Sequence, residues 1–191
     1  MTVCVFAASS SRIDGAYEEA AANLGQLLAQ AGMEVIYGGG GIGLMGKLAN
    51  AVLENGGIIT GVIPSFMQDE GWGHTLVSNM IVTSDMGERK KRMFQASDAV
   101  VALPGGVGTL EELTEALTLK QLGLFKGPVI ILNILGFYDP LIELLERMVS
   151  GEFLRYEHKN LWKIVSSPGD VIDTIINYEG WIDNPRTIAR I

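Results

Sequence analysis

The chain has 191 residues, of which 48% are hydrophobic and 19% charged, and its formal net charge is -8. That length and composition suit one domain with a sizeable core and exclude a disordered tract or a repeat array. The acidic balance disfavours a nucleic-acid partner, no apolar run reaches the roughly 18 residues of a membrane span, and the lone Cys4 rules out a disulfide framework, so the sequence reads as a cytoplasmic protein.

In chain order, the first apolar run, "VCVFAA", predicts a strand in which Cys4 packs as a small buried hydrophobe. "AYEEAAANLGQLLAQAG" follows with helical spacing and Gly32 at its end. Strand patterns recur at "EVIYG", "IITGVI", "MIVTS", "AVVALP", "PVIILN" and "WKIVSS", and "DPLIELLERMVSGEF" reads as a helix with Asp139 and Pro140 in capping positions. About seven short Val- and Ile-rich strands alternating with helices specify an α/β fold: a doubly wound, Rossmann-like parallel sheet with helices on both faces, spanning residues 1–191 as a single domain.

In such a sheet, ligands sit beyond the carboxyl ends of the strands. The segments that follow the first, second, fourth and fifth strands are "SSSR", "GGGGIGLMG", "SDMGERKKRM" and "PGGVGTLEE", and all four are expected on one rim.

The second loop nearly fits two known motifs. Gly38, Gly40 and Gly43 satisfy G-x-G-x-x-G, but after the second strand and with no acidic residue about 20 positions on, which disfavours NAD. Gly41 to Lys47 frame a P-loop, yet Leu48 stands where Ser or Thr should hold magnesium, so a nucleoside triphosphatase is disfavoured. A loop with Gly39 and Gly40 running into a helix still suits an anion, because backbone N–H groups and the positive helix end point the same way.

"PGGVGTLEE" is more specific. Pro104 ends a strand, Gly105, Gly106 and Gly108 let bare backbone approach a ligand, and Thr109 is placed to cap the next helix. Thr109 and Glu112 have capping-box spacing, so Glu112 either folds back onto that cap or faces a part of the ligand that becomes positive. Leu110, Leu113 and Leu117 read as the buried stripe, with Glu111, Glu112 and Glu115 on the other side. By spacing alone, "ERKKRM" is a solvated helix start and His74 a loop or interface histidine. Met86, Met93 and Phe94 read as core at helical spacing, with Met86, just before Arg89, also a candidate to line a pocket.

"PGGVGTLEE" matches the P-G-G-x-G-T-x-x-E signature of the Lonely Guy (LOG) family, often labelled lysine decarboxylases, and "GGGGIGLMG" and "DMGERK" match its companion segments in order and spacing. The resemblance covers nearly the whole chain. It implies a Rossmann-like homodimer that hydrolyses the N-glycosidic bond of cytokinin riboside 5'-monophosphates, and often AMP, to free base and ribose 5-phosphate, with no metal or other cofactor. It implies Arg89 and Glu112 as the catalytic pair; on chemical grounds Arg89 suits holding ribose or phosphate oxygens bidentately and keeping Glu112 ionised by lowering its pKa. Ser9, Gly39, Gly40, Met86, Lys90, Gly105, Gly106, Val107, Gly108, Thr109 and Glu115 form the implied substrate site. Two departures stand out. Ala7, Ala8, Ser9 and Ser10 replace the usual Cys-Gly-Ser-Ser, and "SFMQDEGWGHTL" differs from the plant enzymes, with Glu70 as a candidate base contact.

The chemistry agrees with the residues. Breaking a glycosidic bond develops oxocarbenium character, which a carboxylate stabilises, or the same carboxylate activates water at the anomeric carbon. The alternative is a nucleotide or cofactor carrier that uses the same cradle without chemistry. A decarboxylase would need a pyridoxal-phosphate lysine with an acidic partner, and neither is recognisable.

Overall fold

The computed structural model describes residues 1–182 and 185–189; of the expected 1–191 domain, residues 183–184 and 190–191 lie outside the described set. Seven strands, β1 (Thr2–Phe6), β2 (Glu34–Tyr37), β3 (Ile59–Pro64), β4 (Asn79–Thr83), β5 (Ala99–Ala102), β6 (Val129–Leu132) and β7 (Lys163–Val165), form one sheet in the order β4-β3-β2-β1-β5-β6-β7. Every pairing is parallel, with Val5 opposite Tyr37 on one side and Val101 on the other. All seven expected strands are present.

The helices are α1 (Gly15–Gln30), α2 (Gly43–Glu54), α3 (Ser65–Asp69), α4 (Met86–Gln95), α5 (Val107–Gln121), α6 (Asp139–Ser150), α7 (Pro168–Ile176) and α8 (Arg186–Ala189). Period-two alternation sorts each strand onto two faces. Val3 and Val5 pack with Leu24, Leu28, Leu48 and Val52 of α1 and α2, while Cys4 and Phe6 pack with Met93, Phe94, Leu113 and Leu117 of α4 and α5. Because β1 and β5 are neighbours and the chain leaves them in opposite directions, the switch point lies between them, and their carboxyl ends open a crevice.

Three local expectations are corrected. Thr109 does not cap α5: Gly106 occupies that position and Thr109 is the third helical residue, buried. Asp139 is the first residue of α6, following Tyr138 at the cap, and its carboxylate accepts from Asn133 Nδ2 at 2.7 Å. Leu110 is 40% exposed, and the buried face of α5 runs through Thr109, Glu112, Leu113, Ala116, Leu117 and Lys120. Those positions follow the i, i+3, i+4 rule as well as the leucines do, and tertiary packing decided which stripe turned inward.

Candidate active site

A pocket of about 550 Å³ occupies the crevice, walled by the segments after β1, β2 and β5, by α4, and by the region after β3. Its floor is the pair Arg89 and Glu112. Asp85 caps α4 by accepting from the Glu88 N–H at 2.8 Å, while the Glu88 carboxylate accepts from the Ser84 N–H at 3.0 Å. This reciprocal cap sets the phase of the helix. Arg89 therefore points inward, 7% exposed, while Lys91 and Arg92 stay in solvent.

Three acceptors hold the guanidinium. Arg89 Nε donates to the Val62 carbonyl at 3.0 Å, Nη2 to the Gly38 carbonyl at 3.3 Å, and Nη1 to Glu112 Oε1 at 2.7 Å. A side chain at position 38 would overlap the Arg89 guanidinium, so glycine there makes room for the arginine. Glu112 Oε1 is engaged in this way, and no hydrogen bond to Oε2 is present among the described residues. The capping-box alternative for Glu112 is not realised.

Burial pushes the Glu112 carboxyl above the ordinary glutamate range, with Arg89 opposing the rise. The expected lowering is thus corrected: loss of hydration at a 7% exposed carboxylate outweighs the guanidinium. Lys90 is not free to meet a ligand as expected. Its ammonium pairs with Glu111 and, at 2.7 Å, with Glu115, and both partners raise its pKa.

Two helix starts frame the pocket without side-chain caps: α2, entered from Ile42, and α5, entered from Gly106. Asp14, Asp85 and Ser167 cap α1, α4 and α7, whereas α3 and α6 also start without a side-chain cap. First-turn N–H groups left without an acceptor suit a phosphate; at α2 the Met45 N–H is already met by the Ala8 carbonyl, so only the N–H groups ahead of it are available there. The segment after β1 is locked between the two starts, since the Ala8 N–H donates to the Pro104 carbonyl and the Ala8 carbonyl accepts from the Met45 N–H, both at 3.3 Å. Gly43 has φ of +64°, and a Cβ there would lie 2.5 Å from the Ser10 carbonyl oxygen, so only glycine allows this approach.

The structure brings Ser9, Gly40, Met86, Arg89, Gly106, Gly108, Thr109 and Glu112 to the pocket wall. Gly39, Lys90, Gly105, Val107 and Glu115 lie outside it. A Cβ at position 39 would lie 3.1 Å from both Ile63 and Met80, and Val107 is 84% exposed. Glu70 is exposed, follows the last residue of α3, and does not line the pocket, although Met67 and Trp72 on either side of it do.

An apolar wall of Met45, Ile63, Met67 and Trp72 is what the motifs did not reveal. Trp72 arrives because a short bridge pairs Gly40 with Gly73: the Gly41 N–H donates to the Trp72 carbonyl at 3.1 Å, and the His74 N–H to the Gly39 carbonyl at 2.9 Å. His74 is buried, shares a 3.1 Å hydrogen bond with Asn50 Oδ1, and accepts from the Leu76 N–H at 3.2 Å, which is a loop-fixing role. Lys47, the residue of the P-loop frame, instead pairs with Glu18 at 3.1 Å.

The family model described as "Possible lysine decarboxylase" matches residues 45–175. A cytokinin riboside 5'-monophosphate phosphoribohydrolase of Oryza sativa subsp. japonica, named LOG, is 42% identical over 167 residues, covering 87% of this chain and 68% of that protein. The chain belongs to the Lonely Guy (LOG) family. A second LOG-family relative, the cytokinin riboside 5'-monophosphate phosphoribohydrolase of Arabidopsis thaliana that aligns over 184 residues, is 39% identical and covers 95% of this chain and 83% of its own length. The fold is shared with a molybdenum cofactor binding protein from Rippkaea orientalis, at a TM-score of 0.69 and 27% identity over 92% of this chain and 93% of that one.

Proposed function

We propose that the chain is a phosphoribohydrolase that cleaves the N-glycosidic bond of a nucleoside 5'-monophosphate, a cytokinin riboside monophosphate or AMP, releasing free base and ribose 5-phosphate. One observation carries the reading: a buried carboxylate, held by a buried guanidinium at 2.7 Å, at the floor of a pocket framed by two uncapped helix starts. The phosphate takes the N–H groups around Gly106, Gly108 and Thr109 and those opening α2. Glu112 faces the anomeric carbon.

As the bond from C1' to the base nitrogen breaks, its electron pair goes to the base, which takes up a proton that balances the one the attacking water gives up. Positive charge grows on C1' and the ring oxygen, where the Glu112 carboxylate stabilises it and orients or deprotonates the water whose oxygen bonds to C1'. Arg89 holds that carboxylate in place. The base lies against Trp72, Met67 and Met86. Ser9 and Gly40 complete the wall, whereas Lys90 and Glu115 act by tying α4 to α5.

In this reading the whole length acts as one domain, in the cytoplasm, and as a homodimer. The apolar side chains of Val82, Val107 and Leu110, which are 52%, 84% and 40% exposed close to the pocket elements, suit burial against a second copy. Incubation with AMP and with isopentenyladenosine monophosphate tests the chemistry: free base and ribose 5-phosphate are the expected products. Tight nucleotide binding with no base release on prolonged incubation would instead establish the carrier alternative, and light scattering of the purified protein tests the dimer.

A further inference from the structure

A second cavity, of about 250 Å³, is lined by Lys120, Gly123, Phe125, Lys126 and Trp181, among others. It lies at the opposite end of α5 from the substrate pocket, since Lys120 follows Glu112 by eight positions, about 12 Å at 1.5 Å per residue. Lys120 is 1% exposed, and among the described residues its Nζ has no hydrogen-bond partner. The nearest compensation is the face of the Tyr178 ring, 4.8 Å from Nζ to the centroid. A cation–π contact replaces only part of the hydration an ammonium loses on burial.

The surroundings add positive charge. Lys126 lines the same cavity, and Lys163 lies close enough to oppose protonation of Lys120. None of the three forms an ion pair among the described residues. Among the described residues, Tyr178 Oη and His158 Nε2 are also buried without hydrogen-bond partners; exposed Glu157 and Arg155 act on His158 in opposite senses, and exposed Glu179 stands between Tyr178 and Gly180 of the cavity wall. A buried amine of this kind either loses its proton or takes an anion.

We infer that this cavity is a binding site for a small oxyanion, a carboxylate or a phosphate, in which Lys120 Nζ supplies the central charged donor and Lys126 a second one at the mouth. Burial and Lys163 bring Lys120 down to about 7, so near neutral pH the arriving anion draws a proton onto the amine. The site shares no residue with the substrate pocket.

Full-length protein carrying Trp72→Phe leaves Trp162 and Trp181 as fluorophores, the second of them in the cavity wall. Titration with sodium acetate, and separately with inorganic phosphate, is followed by the fluorescence of Trp181 beside the cavity against sodium chloride at matched ionic strength, with melting midpoints compared for acetate alone because phosphate also suits the substrate pocket. The expected result is a saturable response to at least one oxyanion, lost in Lys120→Met and weakened severalfold in Lys126→Met; the preferred probe identifies the anion class. An unchanged saturable response in both variants, or only the chloride-like response in the parent, overturns the inference.

Discussion

Arg89 Nη1 and Glu112 Oε1 lie 2.7 Å apart although 23 positions separate the residues, and each side chain is less than a tenth exposed. The pair joins α4 to α5 beneath the substrate pocket. Neither charge would remain in such a place alone, so each residue is a condition for the other. Glu112→Gln keeps an oxygen acceptor for Arg89 and is expected to lower kcat by about 10²- to 10⁴-fold with the fold intact, measured by chromatography of released base. Arg89→Ala is expected to lose activity and also about 3–5 kcal/mol of stability, read from denaturant unfolding. Turnover in Glu112→Gln within twofold of the parent would remove the carboxylate from the mechanism.

The raised pKa of Glu112 has a kinetic signature. Burial favours its protonated form, so as pH falls the carboxylate is neutralised earlier than at an exposed glutamate, whose ordinary value is 4.5. If ionised Glu112 is the working form, kcat/KM falls on the acid side with an apparent pKa above that value. The limb is expected to disappear from the residual activity of Glu112→Gln, and a pH profile of both proteins decides the matter.

Trp72 lines the pocket yet remains 53% exposed, which frees it from any large part in the core. Trp72→Ala is expected to raise KM by about 5- to 150-fold, corresponding to the roughly 1–3 kcal/mol of a base stacked on an aromatic ring. Melting should change little. A lowered midpoint with unchanged KM would reassign Trp72 to the scaffold.

At Gly43 the left-handed backbone and the nearness of the Ser10 carbonyl act together. Gly43→Ala is expected to cost at least about 1–2 kcal/mol from the backbone conformation alone. Displacing the segment after β1 would also raise KM. Unfolding curves and kinetics on the same preparation separate these effects.

Lys120 predicts how stability depends on pH. Between about 7, its value in the folded chain, and 10.5, its ordinary value, the unfolded state binds a proton that the folded state does not. Stability therefore rises with pH across that window, and the penalty is fully present below it. Urea midpoints from pH 7 to 9.5 are expected to climb in the parent and to be flatter and higher in Lys120→Met; parallel profiles would show that Lys120 is not the titrating group.

Local physics wrote the framework into the sequence. The Val- and Ile-rich runs alternating with helical patterns specified seven parallel strands, and the glycines of "GGGGIG" and "PGGVG" marked the loops where a bare backbone meets a helix start, because turn chemistry and strand period are properties of neighbouring residues. The LOG-type motifs also singled out Arg89 and Glu112. What spacing could not decide was which way side chains on α5 turn: Thr109, Glu112 and Lys120 share an inward stripe with Leu113, while Leu110 looks out, since the choice belongs to the packing of α5 on β1 and β5 rather than to the helix itself. The direction of the Glu112 pKa, the Lys90 bridge, the Trp72 wall and the Lys120 cavity are likewise tertiary. Each arises where residues distant in sequence exclude water together, and desolvation is a property of the assembled surroundings, not of the residue.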